Sequence, residues 1–281
     1  MKIQELIQKE KNRLIQNKIE DANLISKILL EYVLKIDRNK LNLMQEQEIE
    51  EKKQKQYEKE IEKIIQGIPL QYITNYQEFM KLPFYVDENV LIPQPDTEIL
   101  VEEVLKISKQ ENKKRILDIC TGSGAIGISL AHNLEYSKIT MSDISKVALE
   151  IAKKNAEENN VIEKVEIIES NLLEKIKGKF DIIVSNPPYI ETKVIKTLSK
   201  QVQKEPHLAL DGGKDGLYFY RKLIEEAPKY LEKEGYLCME IGYNQKEKIL
   251  KLIQETKTYT NIKTKKDLAE NDRIIIAQFE S

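Results

Sequence analysis

The chain has 281 residues, of which 41% are hydrophobic, so it is long enough for one large domain or two unequal ones around a buried core. Its 45 lysines and arginines nearly balance its 47 aspartates and glutamates, and the formal net charge is -2. Such a chain lacks the basic surface that neutralises many phosphates, and direct binding to nucleic acid is therefore not expected.

The cysteines and the amino terminus bear on the compartment. Cys120 and Cys238 stand outside any CxxC or Cys/His cluster, which predicts a reducing compartment and no metal site. The first residues are charged, and no stretch approaches the ~18 uninterrupted apolar residues of a membrane span. We expect a cytoplasmic protein with no membrane partner.

The N-terminal segment is predicted to be a small helical domain over residues 1–74. It is almost free of glycine and proline, and apolar residues recur at helical spacing, as from Leu24 to Leu29. The stretch from Glu46 to Lys63 carries Glu/Lys pairs four residues apart, which is typical of a solvated helix face. Gly67 followed by Pro69 ends the helix.

Residues 75–92 are predicted to form a β-hairpin that links this domain to a second one over residues 93–281. Two apolar runs, Leu82–Val86 and Val90–Ile92, flank the turn-like residues Asp87–Asn89.

Predicted strands and helices then alternate. The predicted strands are Arg115–Ile119, Ile139–Asp143, Val165–Glu169, Asp181–Ser185, Tyr236–Ile241, Thr258–Lys263 and Arg273–Phe279. One predicted helix begins at Gly124. Three others cover Lys146–Asn159, Leu217–Leu231 and Gln245–Gln254. This alternation is typical of an α/β fold with a mostly parallel sheet between two helical layers. Because no helix separates the last two strands, they indicate an antiparallel edge.

A glycine turn follows the first of these strands. In Gly122-x-Gly124-x-x-Gly127 the backbone can approach a ligand closely, because a side chain would fill that space. The spacing also fits a dinucleotide fingerprint, with Asp143 at a suitable distance to hold ribose hydroxyls. Asp118 closes the strand before the turn, and this order of an acidic residue and then glycines favours S-adenosylmethionine (SAM) over NAD.

In a SAM site, the backbone at Gly122 and Gly124 would lie beside the methionine moiety, and Asp143 would bind the ribose hydroxyls. Asn171, just beyond the third strand, would help to recognise adenine. Two alternatives stay open: Asp143 is also compatible with a helix N-cap, and Asn171 with an ordinary turn.

The segment Asn186-Pro187-Pro188-Tyr189 predicts the chemistry. Two successive prolines stiffen the loop and orient the carbonyl groups of Asn186 and Pro187. An amide or exocyclic amino nitrogen is a poor nucleophile because its lone pair is delocalised, so its NH2 group must be held. The Asn186 side-chain oxygen and the Pro187 carbonyl can accept both N–H bonds, while Tyr189 stacks on the planar group. The alternative is a plain Pro-Pro turn.

With both motifs considered, most of the chain resembles the release factor glutamine N(5)-methyltransferase family. The segments that carry the resemblance occur in the family's order and are Gly67–Ile73, Leu91–Glu98, the glycine turn, Asn186–Tyr189, Glu205–Leu210, Gly212–Leu217 and Asp272–Arg273. The Asn-Pro-Pro-Tyr segment is shared with enzymes that methylate amino groups of DNA and RNA, so the first two segments discriminate better.

The resemblance implies a Rossmann-like class I SAM-dependent methyltransferase domain, with an N-terminal helical domain that helps to dock the substrate. It implies methyl transfer to the side-chain amide nitrogen of the glutamine in the Gly-Gly-Gln motif of class 1 peptide chain release factors. S-adenosylhomocysteine would be the product, and no metal takes part.

The implied SAM-binding residues are Asp118, Cys120, Thr121, Gly122, Ser123, Gly124, Asp143, Asn171, Leu172 and Asn186. The implied substrate-binding residues are Asn186, Pro187, Pro188 and Tyr189, with Asn186, Pro187 and Tyr189 as the catalytic ones.

Two residues depart from the family pattern. Cys120 stands where many members have glycine, and Gln94 stands where arginine is common and removes a charge near the expected substrate entrance. Of the remaining candidates, His207 is interpreted as a surface residue and Cys238 as a core residue. The segments Glu205-Pro206 and Asp215-Gly216 are candidates to shape a loop over the substrate.

Three other hypotheses remain. The nearest is an amino methyltransferase that acts on a ribosomal protein or on adenine in DNA or RNA. A non-catalytic SAM-binding module predicts damage to the Asn-Pro-Pro-Tyr segment, which is intact. An NAD-dependent oxidoreductase would need an acid or base for hydride transfer, and none accompanies the glycines. Fold alone does not decide among these functions.

Overall fold

The computed structural model describes residues 1–280 and separates the chain into two compact units. The first consists of Met1–Asn75 and Ser199–Lys204, and the second of Tyr76–Leu198 and Glu205–Ser281.

The first unit is helical around its own core. Its helices are α1 (Ile3–Gln16), α2 (Ala22–Leu34), α3 (Arg38–Leu43), α4 (Glu51–Ile65) and α5 (Leu70–Thr74). The charge-rich helix α4 buries Tyr57, Ile61 and Ile64 on one stripe, at the spacing of an amphipathic helix. The Tyr57 hydroxyl donates a 2.8 Å hydrogen bond to the carbonyl of Ser26, so this polar group is satisfied inside the core.

The hairpin lies earlier in the chain than predicted. Strand β1 (Gln77–Phe79) pairs antiparallel with β2 (Leu82–Phe84), and Val86–Ile92 contains no strand. Met80 and Lys81 between the strands both have positive φ, as in the two-residue hairpin turn of type I′. Asp87–Asn89 is a turn, as predicted, but it lies outside the hairpin. The Val90 amide donates to the Asp87 carbonyl at 3.2 Å, and the Asp87 carboxylate accepts from the Asn89 amide at 2.9 Å. The bounds of the three predicted segments stay a prediction.

The second unit contains a seven-stranded sheet of order β5-β4-β3-β6-β7-β9-β8. Its strands are β3 (Arg115–Ile119), β4 (Lys138–Asp143), β5 (Val165–Glu169), β6 (Phe180–Ser185), β7 (Leu231–Glu240), β8 (Tyr259–Lys266) and β9 (Asp272–Phe279). The pairs from β5 to β7 are parallel, and β9 is antiparallel to β7 and β8. The predicted parallel sheet with an antiparallel edge is confirmed.

Seven helices of the second unit are described. They are α6 (Pro95–Glu111), α7 (Ala125–Asn133), α8 (Lys146–Glu158), α9 (Thr192–Ile195), α10 (His207–Leu210), α11 (Tyr218–Glu226) and α12 (Lys246–Thr256). Helix α6 was not predicted. The helix predicted to reach Leu231 ends at Glu226, because Pro228 has no N–H to continue it, and Leu231 already belongs to β7. No helix within residues 1–280 is long and apolar enough to cross a membrane.

Strand β3 lies between β4 and β6, so the chain leaves it on one side and later returns on the other. Such a reversal opens a crevice at the carboxyl ends of parallel strands. Ile119 at the end of β3 is in register with Ser142 of β4 and Ser185 of β6. The segments that follow these three strand ends therefore lie close together.

Candidate active site

The glycine turn between β3 and α7 is supported by Asp118. This side chain is fully buried, and its Oδ2 accepts hydrogen bonds from the Thr121 hydroxyl and, at 3.0 Å, from the Gly127 amide. Burial raises the pKa of Asp118 to about 7, although both hydrogen bonds oppose the rise. Asp118 lines neither cavity described below, so the structure places it beneath the turn rather than at a ligand surface.

The backbone of the turn is left-handed at three positions. Cys120, Gly122 and Gly124 have φ of +61°, +55° and +84°. A Cβ at Gly124 would lie 2.7 Å from Ile128 Cδ1 and 3.2 Å from Ala152 Cβ, so this glycine allows α7 and α8 to pack closely. A Cβ at Gly122 would meet nothing within 4 Å, which leaves open space for a ligand. The φ of Cys120 explains why glycine suits its position.

Asp143 links the end of β4 to the glycine turn. Its Oδ2 accepts from the Gly122 amide and its Oδ1 from the Ser145 amide, both at 2.9 Å. Burial raises its pKa, while these backbone N–H groups oppose the rise. The N-cap of α8 is Ser145, whose hydroxyl accepts from Ala148, so the alternative that Asp143 caps this helix is wrong.

A cavity of about 190 Å³ opens at the carboxyl ends of these strands. The predicted residues that line it are Cys120, Gly122, Asp143, Asn171, Leu172, Asn186 and Pro188. Residues that the sequence analysis did not assign complete it, and they include Leu91, Ile144, Ala209, Tyr218 and Phe219. A smaller cavity of about 50 Å³ shares Cys120, Gly122 and Asn186 with it and is also lined by Gln94, Thr97, Thr121 and Ser123.

Asn171 fits both interpretations, as a residue of the cavity and as an ordinary turn residue. It lines the cavity, but its side-chain amide donates a 2.7 Å hydrogen bond to Glu174, as expected of a turn residue. The next residue, Leu172, has a φ of +48° and also lines the cavity. The turn thus presents both residues to the cavity.

The Asn-Pro-Pro-Tyr loop follows directly from β6. Asn186 is half-buried and its Nδ2 donates to the Thr97 hydroxyl oxygen at 3.3 Å. Pro187 is buried and lines neither cavity, and neither does Tyr189. Burial and the neighbouring Glu240 carboxyl raise the pKa of Tyr189 to about 12. The predicted stacking of Tyr189 on a substrate therefore stays a proposal.

A glycine-rich segment packs against this loop. The Gly212 amide donates to the Ile190 carbonyl at 2.8 Å, and a Cβ at Gly212 would lie 2.7 Å from Tyr189 Cα. A Cβ at Gly216 would overlap the Tyr189 carbonyl oxygen. The segment from Gly212 to Gly216 therefore has glycines where the Asn-Pro-Pro-Tyr loop approaches it.

The segment around Glu205 closes one side of the cavity. The buried Glu205 carboxylate accepts a 3.1 Å hydrogen bond from the Ile92 amide, and burial raises its pKa to about 7. Pro206 and Leu208, just beyond it, line the cavity. His207 is exposed and lies 3.8 Å from Asp211, as expected of a surface residue.

Two further predictions concern cysteine and metal. Cys238 is completely buried in the core, as predicted. Within residues 1–280, no group of three or more His, Cys, Asp and Glu side chains is placed to hold a metal ion.

Two family models match the chain. The model described as "Methyltransferase small domain" matches residues 94–214, and the one described as "PrmC N-terminal domain" matches residues 5–74. Among solved structures, the T. Thermophilus 16S rRNA methyltransferase RsmC, in complex with AdoMet and guanosine, superposes with a TM-score of 0.53. It is 17% identical and covers 73% of this chain and 50% of that one. These matches confirm the predicted methyltransferase fold.

Curated relatives are much more similar in sequence. The release factor glutamine methyltransferase of Clostridium acetobutylicum is 42% identical over 256 residues, which is 90% of each chain. The protein of the same name from Borreliella burgdorferi is 43% identical over 196 residues, or 69% of this chain and 68% of its own. Identity of this extent, over both the helical and the methyltransferase parts, shows that the chain belongs to the release factor glutamine methyltransferase family.

Proposed function

We propose that this protein transfers a methyl group from SAM to the side-chain amide nitrogen of a glutamine in a peptide chain release factor. The names of the relatives support the substrate. The single observation that carries the chemistry is the position of Asn186, which lines the cavity beside the glycine turn and the ribose candidate Asp143.

The residues at this edge of the sheet fit SAM. Gly122 leaves open space where any side chain would project, and Asp143 lines the same cavity. Ile144 and Leu172 provide apolar walls for a planar base. SAM supplies, when bound, a methyl group on a positively charged sulfur. Asp118 contributes indirectly, since it holds the turn.

Asn186 and Pro187 would bind the acceptor. The Asn186 side-chain oxygen and the Pro187 carbonyl are two acceptors for the two N–H bonds of a glutamine amide, and holding both orients its nitrogen. No strong base is required, because the methylated nitrogen is acidic enough to release a proton to solvent. Most of the rate enhancement would come from this positioning.

The surroundings of the cavity suit a protein substrate. Three residues that line it, Ile144, Leu208 and Tyr218, are each about half exposed, at 50%, 53% and 51%. Exposed apolar groups of this kind mark surfaces for macromolecular contact. We assign the loop of the Gly-Gly-Gln motif to this surface, and docking of the rest of the release factor to the helical domain of residues 1–74. Residues 75–92 would link it to the catalytic domain of residues 93–281.

The test is a methyl-transfer assay with labelled SAM and a purified release factor. A second copy of the factor, with the glutamine of its Gly-Gly-Gln motif changed to alanine, is the control. We expect label on the intact factor and none on the altered copy. Label on ribosomal protein or nucleic acid, with none on the factor, would replace the proposed substrate by the alternative one.

Asn186→Ala tests the acceptor site. We expect turnover to fall at least about 100-fold, by analogy with the removal of a transition-state hydrogen-bond partner. SAM affinity, measured by calorimetry, should change little. Asn133→Ala, at the exposed end of α7, is the matched control and should keep full turnover. Undiminished turnover in Asn186→Ala would exclude the proposed role.

A further inference from the structure

Two buried polar residues, Thr97 and Glu240, form a chain of hydrogen bonds with the Asn186 side chain. Thr97, in the first turn of α6, is 4% exposed, and Glu240, at the end of β7, is 2% exposed. The Thr97 hydroxyl donates to Glu240 Oε2 at 2.6 Å and accepts from Asn186 Nδ2 at 3.3 Å. Thr97 is 89 positions from Asn186 and 143 positions from Glu240 in the sequence, yet the three side chains form one chain of hydrogen bonds.

The direction of these hydrogen bonds follows from their chemistry. An ionised carboxylate only accepts, so the single proton of the Thr97 hydroxyl goes to Glu240. The hydroxyl oxygen is then left as an acceptor for Asn186. The Asn186 amide also interacts with the Glu240 carboxyl itself. A flipped Asn186 would direct its oxygen at these acceptors, which is unfavourable.

Positive charge lies nearby to favour the ionised carboxyl. Arg273 of β9, whose side chain is 12% exposed, forms ion pairs with Asp267 at 2.8 Å and Asp96 at 3.1 Å. Burial raises the pKa of Glu240 to about 7, with Asp96 acting in the same direction, while Thr97, Arg273 and Asn186 oppose the rise.

We infer that Thr97 and Glu240 are positioning residues, which hold the Asn186 side chain so that its NH2 group points to Thr97 and its oxygen is free for the acceptor amide. This inference rests on the proposed function of Asn186. It gives a structural role to two segments of the family pattern, Leu91–Glu98 and Asp272–Arg273. Glu240 lines neither cavity, and Thr97 lines only the smaller one, so both act through Asn186 in this arrangement.

Thr97→Val tests the inference, because valine keeps the shape of threonine and removes its hydroxyl. We expect kcat to fall roughly 10- to 100-fold, as for loss of a positioning contact, with SAM affinity within about threefold of wild type. Thr97→Ser restores the hydroxyl and should restore most of kcat. A Thr97→Val enzyme with normal kcat, or a Thr97→Ser enzyme that is equally impaired, would overturn the inference.

A readout without turnover separates this inference from the proposed function. In 15N-labelled protein, the side-chain NH2 signals of Asn186 are assigned by their loss in Asn186→Ala. We expect them to shift in Thr97→Val and to return in Thr97→Ser. This outcome supports the hydrogen-bond chain even if the release factor proves not to be the substrate. Unchanged signals in Thr97→Val would contradict it.

Glu240→Gln tests the role of the charge. Protonated Glu240 can donate to Thr97, which frees the Thr97 hydroxyl to donate to the Asn186 oxygen, so wild-type kcat should rise as pH increases through about 7. The groups that face Glu240 are Asp96 and Thr97 from α6, Asn186 and Tyr189 from the catalytic loop, and Arg273 from β9. Tyr220 of α11 donates to its backbone carbonyl. Glutamine cannot ionise, so the rise should flatten in Glu240→Gln. Identical pH profiles for the two proteins would exclude Glu240 from the network.

Discussion

At the scale of single residues, three buried carboxyl groups make the stability of this protein depend on pH. Burial raises the pKa of Asp118, Glu205 and Glu240 to about 7 in each case. In an unfolded chain such groups titrate near pH 4, so the folded state binds their protons more tightly. Their contribution to stability is therefore complete below about pH 4 and is lost as pH rises through about 7.

Glu205 allows this contribution to be measured separately. Glu205→Gln keeps an acceptor for the Ile92 amide and removes the ionisation. Between pH 5 and pH 8 the free energy of unfolding should decrease in both proteins. We expect the decrease to be about 1–3 kcal/mol larger in the wild type than in the variant. Urea denaturation at both pH values measures the difference. Glu255→Gln, on an exposed part of α12, is the control and should behave like the wild type. Equal pH dependence in Glu205→Gln would contradict the prediction.

At the scale of elements, three loops and a helix start hold one another at the catalytic site. Gln245, the N-cap residue of α12, donates to the Tyr189 carbonyl at 2.9 Å and to the Gly216 carbonyl at 3.1 Å. Its side-chain oxygen accepts from the Gly242 amide at 3.0 Å. One buried amide thus connects the Asn-Pro-Pro-Tyr loop, the glycine-rich segment and the end of β7, so a change in one element should displace the others.

Gly216→Ala tests this coupling. The added Cβ would meet the Tyr189 carbonyl and, at 2.6 Å, Gln245 Nε2, so we expect the loop to shift and turnover to fall roughly 10- to 100-fold. Gly178→Ala is the matched control, because its φ of +86° carries similar backbone strain but its Cβ meets only the end of the Arg115 side chain. Both variants should lose about 1 kcal/mol or more of stability. Equal turnover in the two would show that strain alone, and not the contact with the loop, matters.

At the scale of the whole molecule, two units have separate cores. The core of the first unit contains Leu29 and Leu30, both fully buried, whereas every residue that lines the 190 Å³ cavity belongs to the second unit. The second unit has cores on both faces of its sheet. Damage to the helical core should therefore leave the cofactor site intact.

Leu29→Ala tests this separation. Loss of a buried leucine should destabilise the first unit by about 2–5 kcal/mol. We expect the affinity for S-adenosylhomocysteine, measured by titration calorimetry, to stay within about threefold of wild type, while the KM for the release factor rises. Leu237→Ala, in the core of the second unit, is the control. It should lower the affinity for S-adenosylhomocysteine and raise the KM for the release factor. A large loss of S-adenosylhomocysteine affinity in Leu29→Ala would show that the cofactor site depends on the first unit.

The local sequence by itself determined most of the secondary structure and the segments that line the cavity. Strands β3 and β5 have the predicted bounds. Strand β3 is a short, buried apolar run, whereas β5 is an edge strand without a buried residue and is marked by its β-branched residues. Two elements differ from the prediction. The hairpin turn at Met80–Lys81 contains no glycine or asparagine to mark it, and α6 was missed although Pro95 at its start and its buried Leu100, Val101 and Val104 are helix signals.

Only the tertiary structure decided which distant residues complete the site. Thr97 and Glu240 reach Asn186 because α6 and β7 pack beside the end of β6, and no local pattern encodes that approach. The backbone at Cys120 is left-handed because of the turn that it enters, which its side chain does not reveal. Side-chain type and spacing therefore located the segments that line the cavity, and the binding of SAM and of the amide there stays a proposal. The orientation of Asn186 depends on a buried charge and a hydroxyl that folding alone brings together.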